Sequence, residues 1–249
     1  MSAEENKLTL LGHFQELRKR LIRAVIAIAV GAAISFIFYE WIFYILILPA
    51  QGIELIYIEM TEMIGTVMKV CLVSGIIIAM PYLILQAILF ISPALTRREK
   101  RYIYVILPWI AIMFLGGVAF GWKFLIPPAT RFLLTFGSDI ATPQIKIGNY
   151  ISIVTRLLLA IGIVFEMPVV TTFLAKIGLV KPKWLADRRK MAIIVAFIGA
   201  AIITPTFDPI NQSLVAVPLI ILYEMGIWLA RLVQPKKSKV ATPESSPAS

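Results

Sequence analysis

Along this chain apolar residues fall in long unbroken blocks, not in the alternation of a half-buried strand or the 3.6-residue repeat of an amphipathic helix. Six blocks stand out: Ala24–Leu48, Gly65–Ile91, Ile103–Leu125, Ile151–Ala175, Met191–Thr204 and Ser213–Ala230. Short polar, charge-bearing segments separate them. In hydrocarbon every backbone N–H and C=O must be paired within the protein, so uniformly apolar blocks predict membrane-spanning helices and exclude a barrel. The last two blocks are short. Met191–Thr204 has 14 residues, about 21 Å of helix against a hydrocarbon core of about 30 Å.

Two shorter patterns refine this picture. Leu10, Leu11, Phe14, Leu17 and Leu21 recur at helical spacing just before the first block, which predicts an amphipathic helix over about residues 8–22, lying on the membrane and leading into the first span. Prolines punctuate the blocks. Pro81, Pro108, Pro168 and Pro218 fall inside spans, where a missing N–H predicts kinks that neighbouring helices must accommodate, giving a cup-shaped bundle. Pro49, Pro127 and Pro128 sit at block ends and shape turns there, and PPATRFLLTFG is expected to form a short cap. The expected fold is therefore an all-α integral membrane protein, with six proline-kinked transmembrane helices of which five and six are short. It forms one domain over residues 1–235, and the polar, proline-bearing tail 236–249 is expected to be disordered.

Composition agrees: 59% of residues are hydrophobic and 15% charged, with a mean hydropathy of +0.88. The net charge of +10 is not spread evenly. Nineteen of the 24 Lys and Arg residues fall before block one, between blocks two and three, between four and five, or after six. By the positive-inside rule these segments and both termini are cytoplasmic. Topology and anionic lipid thus account for the basic charge, and no nucleic acid is implied. The first block is too long for a signal-peptide core and no small-x-small cleavage site follows, so a retained helix is expected. Cys71 is the single cysteine and His13 the single histidine, which leaves no intrachain disulfide and no His-based metal site. GGVAFGWK has a tryptophan between Gly121 and Lys123 and lies in a span, so it is no phosphate loop. No catalysis and no cofactor or metal are expected.

The remaining chemistry lies in a few acids. Glu16 is the one acid in LLGHFQELRKRLIRAV, three and four residues before Lys19 and Arg20, which allows an ordinary intrahelical pair. Glu99 stands among Arg97, Arg98, Lys100 and Arg101. Glu166 interrupts block four, two residues before Pro168. An ionised residue at mid-bilayer costs roughly 2.5–3.5 kcal/mol, so it requires a protein or aqueous partner. Two readings stand: a helix–helix hydrogen bond, or a functional intramembrane polar site. Asp208, with Thr204 and Gln212, fits an interfacial turn with a capping acid.

Together these segments resemble the TatC family, the receptor subunit of the twin-arginine protein translocase. His13, Glu16, Leu17 and Arg18 resemble its opening H-L-x-E-L-R box, with Phe14 replacing the usual leucine. Phe90, Pro93, Ala94, Leu95 and Glu99 match its F-x-x-P-A-L-x-x-x-E loop, and Phe165, Glu166 and Pro168 its F-E-x-P box. Thr204, Pro205 and Asp208 match T-P-x-x-D, with Phe207 where proline is frequent. The four boxes fall in order across nearly the whole chain.

The resemblance implies a receptor in a bacterial or archaeal cytoplasmic membrane. Glu16 and Glu99 would contact the consecutive arginines of signal peptides, with Arg18, Phe90, Pro93 and Leu95 around them. It further implies that Glu166 lies in a concave pocket that meets cargo or partner helices. Thr204, Asp208 and Gln212 would contact single-span TatA- and TatB-type subunits. Pro49, Pro81 and Pro168 would be structural, and the complex homo-oligomeric, with export of folded proteins driven by the protonmotive force. The alternatives are a proton-coupled small-solute transporter using Glu166, against which no internal repeat is evident, and a structural assembly factor without peptide selectivity.

Overall fold

The computed structural model describes residues 3–50, 54–91, 97–135, 144–204 and 208–233; within these, side chains are described except at 3–11, 13, 91, 97–105, 133 and 134. Helix α1 (Ala3–Ile37) runs unbroken for 35 residues, about 52 Å. The amphipathic segment and the first span are thus one rod, which corrects the expectation of a separate helix lying on the membrane. No proline, glycine pair or capping residue separates residue 22 from 24, and propagating a helix is favourable once it is nucleated. The break comes later, at Phe38, whose backbone leaves the helical region (φ −109°, ψ 20°) before α2 (Tyr39–Ile47) and a 3-10 turn, Leu48–Ala50.

The chain then crosses back and forth. Helix α3 covers Glu62–Ile91 and α4 Arg97–Phe120; a single π-turn, Gly121–Leu125, carries α4 into α5 (Ile126–Thr135). Helix α6 (Ile147–Phe165) is followed by α7 (Met167–Lys176), the short α8 (Pro182–Asp187), α9 (Arg189–Ile203) and α10 (Pro209–Val233). We call the end where α1 begins the near end and the opposite one the far end. At the far end β1 (Leu55–Ile56) pairs in parallel with β2 (Ile145–Lys146).

Five stretches are long and apolar enough to span a bilayer: Phe14–Ile37, Glu62–Phe90, Ile106–Phe132, Ile147–Lys176 and Pro209–Val233. The segment expected as span five forms α9, whose 15 residues extend about 22 Å. Helix α10 has 25 residues, so of the two segments expected to be short only α9 is. Asp208 caps α10 and starts it ahead of the apolar block: its Oδ2 accepts from the Asn211 N–H at 2.8 Å. The segment expected as a cap is helical as far as Thr135, continuing span three as α5 and packing on the Leu48–Ala50 turn, and its last two residues lie outside the described ones.

Proline acts differently at each site. Pro81, Pro108 and Pro218 lie inside α3, α4 and α10, which continue through them. Of the four prolines expected inside spans only Pro168 coincides with a break, at the second position of α7, where a missing N–H is harmless.

A large apolar core binds the far half, where Phe43, Leu46, Leu125, Ile126, Ile151 and Leu158 pack together. Two directed bonds fix it. The Tyr150 hydroxyl donates to the Leu46 carbonyl at 2.9 Å, and Trp122 Nε1 donates to the Ile45 carbonyl at 2.9 Å. A smaller cluster, Ile88, Ile110 and Phe173, joins α3, α4 and α7 towards the near end. The outer surface remains apolar, with Trp109, Ile112, Ile198, Ile202, Ile221 and Trp228 exposed, the reverse of a water-facing surface.

Candidate functional site

At the near end, Glu16 sits on α1 one turn before Arg20. Both Arg20 Nε, at 3.1 Å, and Nη2 bond to the single oxygen Oε1 of Glu16. The i,i+4 spacing that allowed this pair in the sequence is thus realised. The same guanidinium reaches across to α3, where Nη1 donates to Gln86 Oε1 at 3.2 Å. Glu16 keeps 35% of its side-chain surface exposed, against 17% for Arg20. Its Oε2 takes neither Arg20 bond, and an exposed pair of this kind stabilises by about 0–1 kcal/mol. The carboxylate is therefore partly exposed and positioned by Arg20 through one of its two oxygens.

Helix α4 begins at Arg97, six positions after α3 ends at Ile91, so chain order brings Glu99, in the first turn of α4, to the same end as Glu16. The Glu99 side chain lies outside the described residues, as do Pro93 and Leu95. Arg18 is exposed and Phe90 half-buried. Gln86, which sequence reasoning passed over, is a buried polar residue of this end; a lone glutamine in an apolar run was its signal.

Glu166 marks the joint between α6 and α7. Its N–H still bonds to the Ile163 carbonyl at 3.1 Å and its own carbonyl accepts from Val170 at 2.9 Å, so the backbone stays satisfied around Pro168. The side chain is only 3% exposed. It lies against the backbone of Phe114 in α4, yet neither carboxyl oxygen has a well-formed hydrogen bond among the described residues. Glu166 is thus enclosed between helices, and the cavities found among the described residues do not include it. Packing encloses it: Gly117 and Gly162 let α4 and α6 approach so closely that a Cβ on either would meet Phe165 or Phe114 at 2.7 Å.

The far-end turn gathers three expected residues. Thr204 caps α9 and its hydroxyl donates to the Ala200 carbonyl at 2.8 Å; Asp208 caps α10. Gln212 Nε2 donates to the Phe197 carbonyl at 2.9 Å, tying α10 to α9. Residues 205–207, including the Phe207 departure, lie outside the described ones. Asn211, missed in the sequence, is buried beside them, and its Nδ2 has no hydrogen-bond partner among the described residues. Pro49 lies in the 3-10 turn after α2. No cluster of three or more metal-ligating His, Cys, Asp or Glu occurs among the described residues.

Residues 12–218 match the family described as Sec-independent protein translocase protein (TatC). The protein of that name from Carboxydothermus hydrogenoformans is 40% identical over 236 residues, covering 94% of this chain and 97% of the relative. The one from Aquifex aeolicus is also 40% identical, over 234 residues, 92% of this chain and 97% of the relative. A crystal structure described as the twin arginine translocase receptor TatC superposes with a TM-score of 0.78 at 40% identity, covering 89% of this chain and 99% of that one. Sequence and fold agree over nearly the whole length, and the five apolar spans fit a multi-pass membrane protein. The chain belongs to the TatC family.

Proposed function

We propose that this protein is the receptor subunit that binds twin-arginine signal peptides at its near end, and that this end is cytoplasmic. The observation that carries the reading is Glu16, bonded through one carboxylate oxygen to Arg20, which Gln86 anchors in turn, and left with 35% of its side chain exposed. A guanidinium forms short bidentate bonds to a carboxylate that an ammonium cannot reproduce, so spaced acids select arginine over lysine. In this proposal Glu99 supplies the second acid. Arg18, Phe90, Pro93 and Leu95 border the pair, the apolar ones receiving the peptide's apolar side chains. Concentration of basic residues at the near-end segments supports the orientation.

The receptor performs no bond chemistry; its work is selection and assembly. Thr204, Asp208 and Gln212 offer a far-end polar edge to single-span TatA- and TatB-type subunits, in a homo-oligomeric complex that uses the protonmotive force to export folded proteins. Glu166, being enclosed, meets cargo or a partner helix only when α4 and α6 separate. The short α9 thins the bilayer beside it.

Binding of a twin-arginine signal peptide to the full chain in lipid nanodiscs tests the central claim. Glu16→Gln and Glu99→Gln each weaken binding about tenfold or more, since a charge-assisted bond contributes about 1.5–3 kcal/mol. A twin-lysine peptide binds poorly to the unaltered protein. Unchanged affinity in the double variant would end the proposal.

A further inference from the structure

Away from these sites, two cations stand inside the spans. Lys69 lies seven residues into α3 and Arg156 nine residues into α6, both counted from the far end, so they sit about 10 and 14 Å deep. Both are exposed on the outer surface. Lys69 Nζ donates to Ser152 Oγ at 2.7 Å, and Ser152 in turn donates to the Gly148 carbonyl. Ser152 and Arg156 are one helical turn apart and share a face. The Lys69–Ser152 bond joins that face to α3. No Asp or Glu pairs with either cation among the described residues. Cations at such depth persist where an anion or water meets them.

Beside Lys69 runs an apolar cleft of about 730 Å³, lined by Ala32, Ala33 and Phe36 of α1 and by Met68, Cys71 and Leu72 of α3. Its shape follows from the crossing of the two helices. They touch backbone to backbone at Gly31 and Gly75, and the cleft opens from that crossing towards the far end. Where the two backbones touch there is no room between them for a helix, which is about 10 Å across. A single alkyl chain is narrower.

We propose that Lys69, Ser152 and Arg156 bind the phosphate of an anionic phospholipid of the far-side leaflet, with one acyl chain lying in the cleft between α1 and α3. The lysine reaches along the bilayer normal to the headgroup, as long basic side chains do near helix ends. Ser152 holds the ammonium on the α6 side, and Arg156 adds the second positive charge. The apolar wedge supplies the contact that a free anion could not use. Binding therefore demands both a net negative headgroup and a chain.

Native mass spectrometry of the full-length protein in detergent, titrated with phosphatidylglycerol or phosphatidylcholine, tests this. The unaltered protein retains one phosphatidylglycerol about tenfold or more in preference to phosphatidylcholine, as two basic residues near a headgroup would produce. Lys69→Gln with Arg156→Gln removes the preference, and Lys69→Arg with Arg156→Lys keeps it. Ala33→Phe, which fills the cleft and touches neither charge, lowers retention of phosphatidylglycerol. Gel filtration and melting curves matching the unaltered protein show that each variant is folded. Equal retention of both lipids, or unchanged retention in the glutamine double variant or in Ala33→Phe, overturns the proposal. So does displacement of the lipid's role by an acidic single-span helix that alone protects Lys69 from acylation.

Discussion

Gly31 of α1 and Gly75 of α3 meet backbone against backbone: a Cβ on Gly75 would lie 2.4 Å from the Ala32 nitrogen, and one on Gly31 would lie 2.6 Å from the Gly75 oxygen. Small residues let helices in lipid approach until dispersion replaces the missing hydrophobic drive. This contact sets how α1 leans on the bundle. Through α3 it also sets where Arg20 finds Gln86.

Substituting Gly75→Ala forces the two backbones apart and lowers stability by about 1–3 kcal/mol. Gly116→Ala is the control, since nothing lies within 4 Å of its Cβ position; it is neutral, or stabilising by up to about 1 kcal/mol through helix propensity. Thermal unfolding in detergent distinguishes the two. Equal melting temperatures for both variants would show that the close approach does not govern stability.

Glu166 is buried, and among the described residues neither carboxyl oxygen has a well-formed hydrogen bond to offset the lost hydration. Glu166→Leu therefore raises stability by about 1–3 kcal/mol, the penalty of an unsatisfied buried polar group. A loss of export in the same variant would mark the residue as kept for function at the expense of stability. Chemical denaturation in detergent gives the sign. A clear destabilisation by leucine would mean that the carboxyl has a partner after all.

Asp208 and Gln212 act on the same turn by different bonds. Asp208→Ala removes the cap of α10 and costs about 1 kcal/mol, whereas Asp208→Asn keeps an acceptor and is close to neutral. Gln212→Leu costs about 1 kcal/mol through the lost bond to the Phe197 carbonyl. Hydrogen exchange at the Asn211 amide reports the first effect directly. Exchange that is unchanged in Asp208→Ala would show that the cap does not protect it.

Much of this fold is written in local pattern. Apolar blocks identify the spans, because insertion into lipid depends on the summed hydrophobicity of about twenty consecutive residues. The short α9 and the break at Glu166–Pro168 are likewise legible, since length and a missing N–H are properties of the segment itself. At the near end, the Glu16–Arg20 pair follows from helical spacing alone. The order of the four boxes carries the family.

What the sequence by itself determined, then, is which segments are apolar enough to enter the membrane, which segments carry the positive charge, and which acids are out of place. Tertiary structure alone decided that α1 is one rod, that α3, α4 and α10 run through their prolines, and that Glu166 is enclosed. It also decided that Arg20 bridges to a glutamine 66 residues away and that Lys69 bonds to a serine 83 residues away. Enclosure and cross-helix bonds depend on which faces meet, and that is set by packing between elements remote in the chain, through contacts such as Gly31 on Gly75.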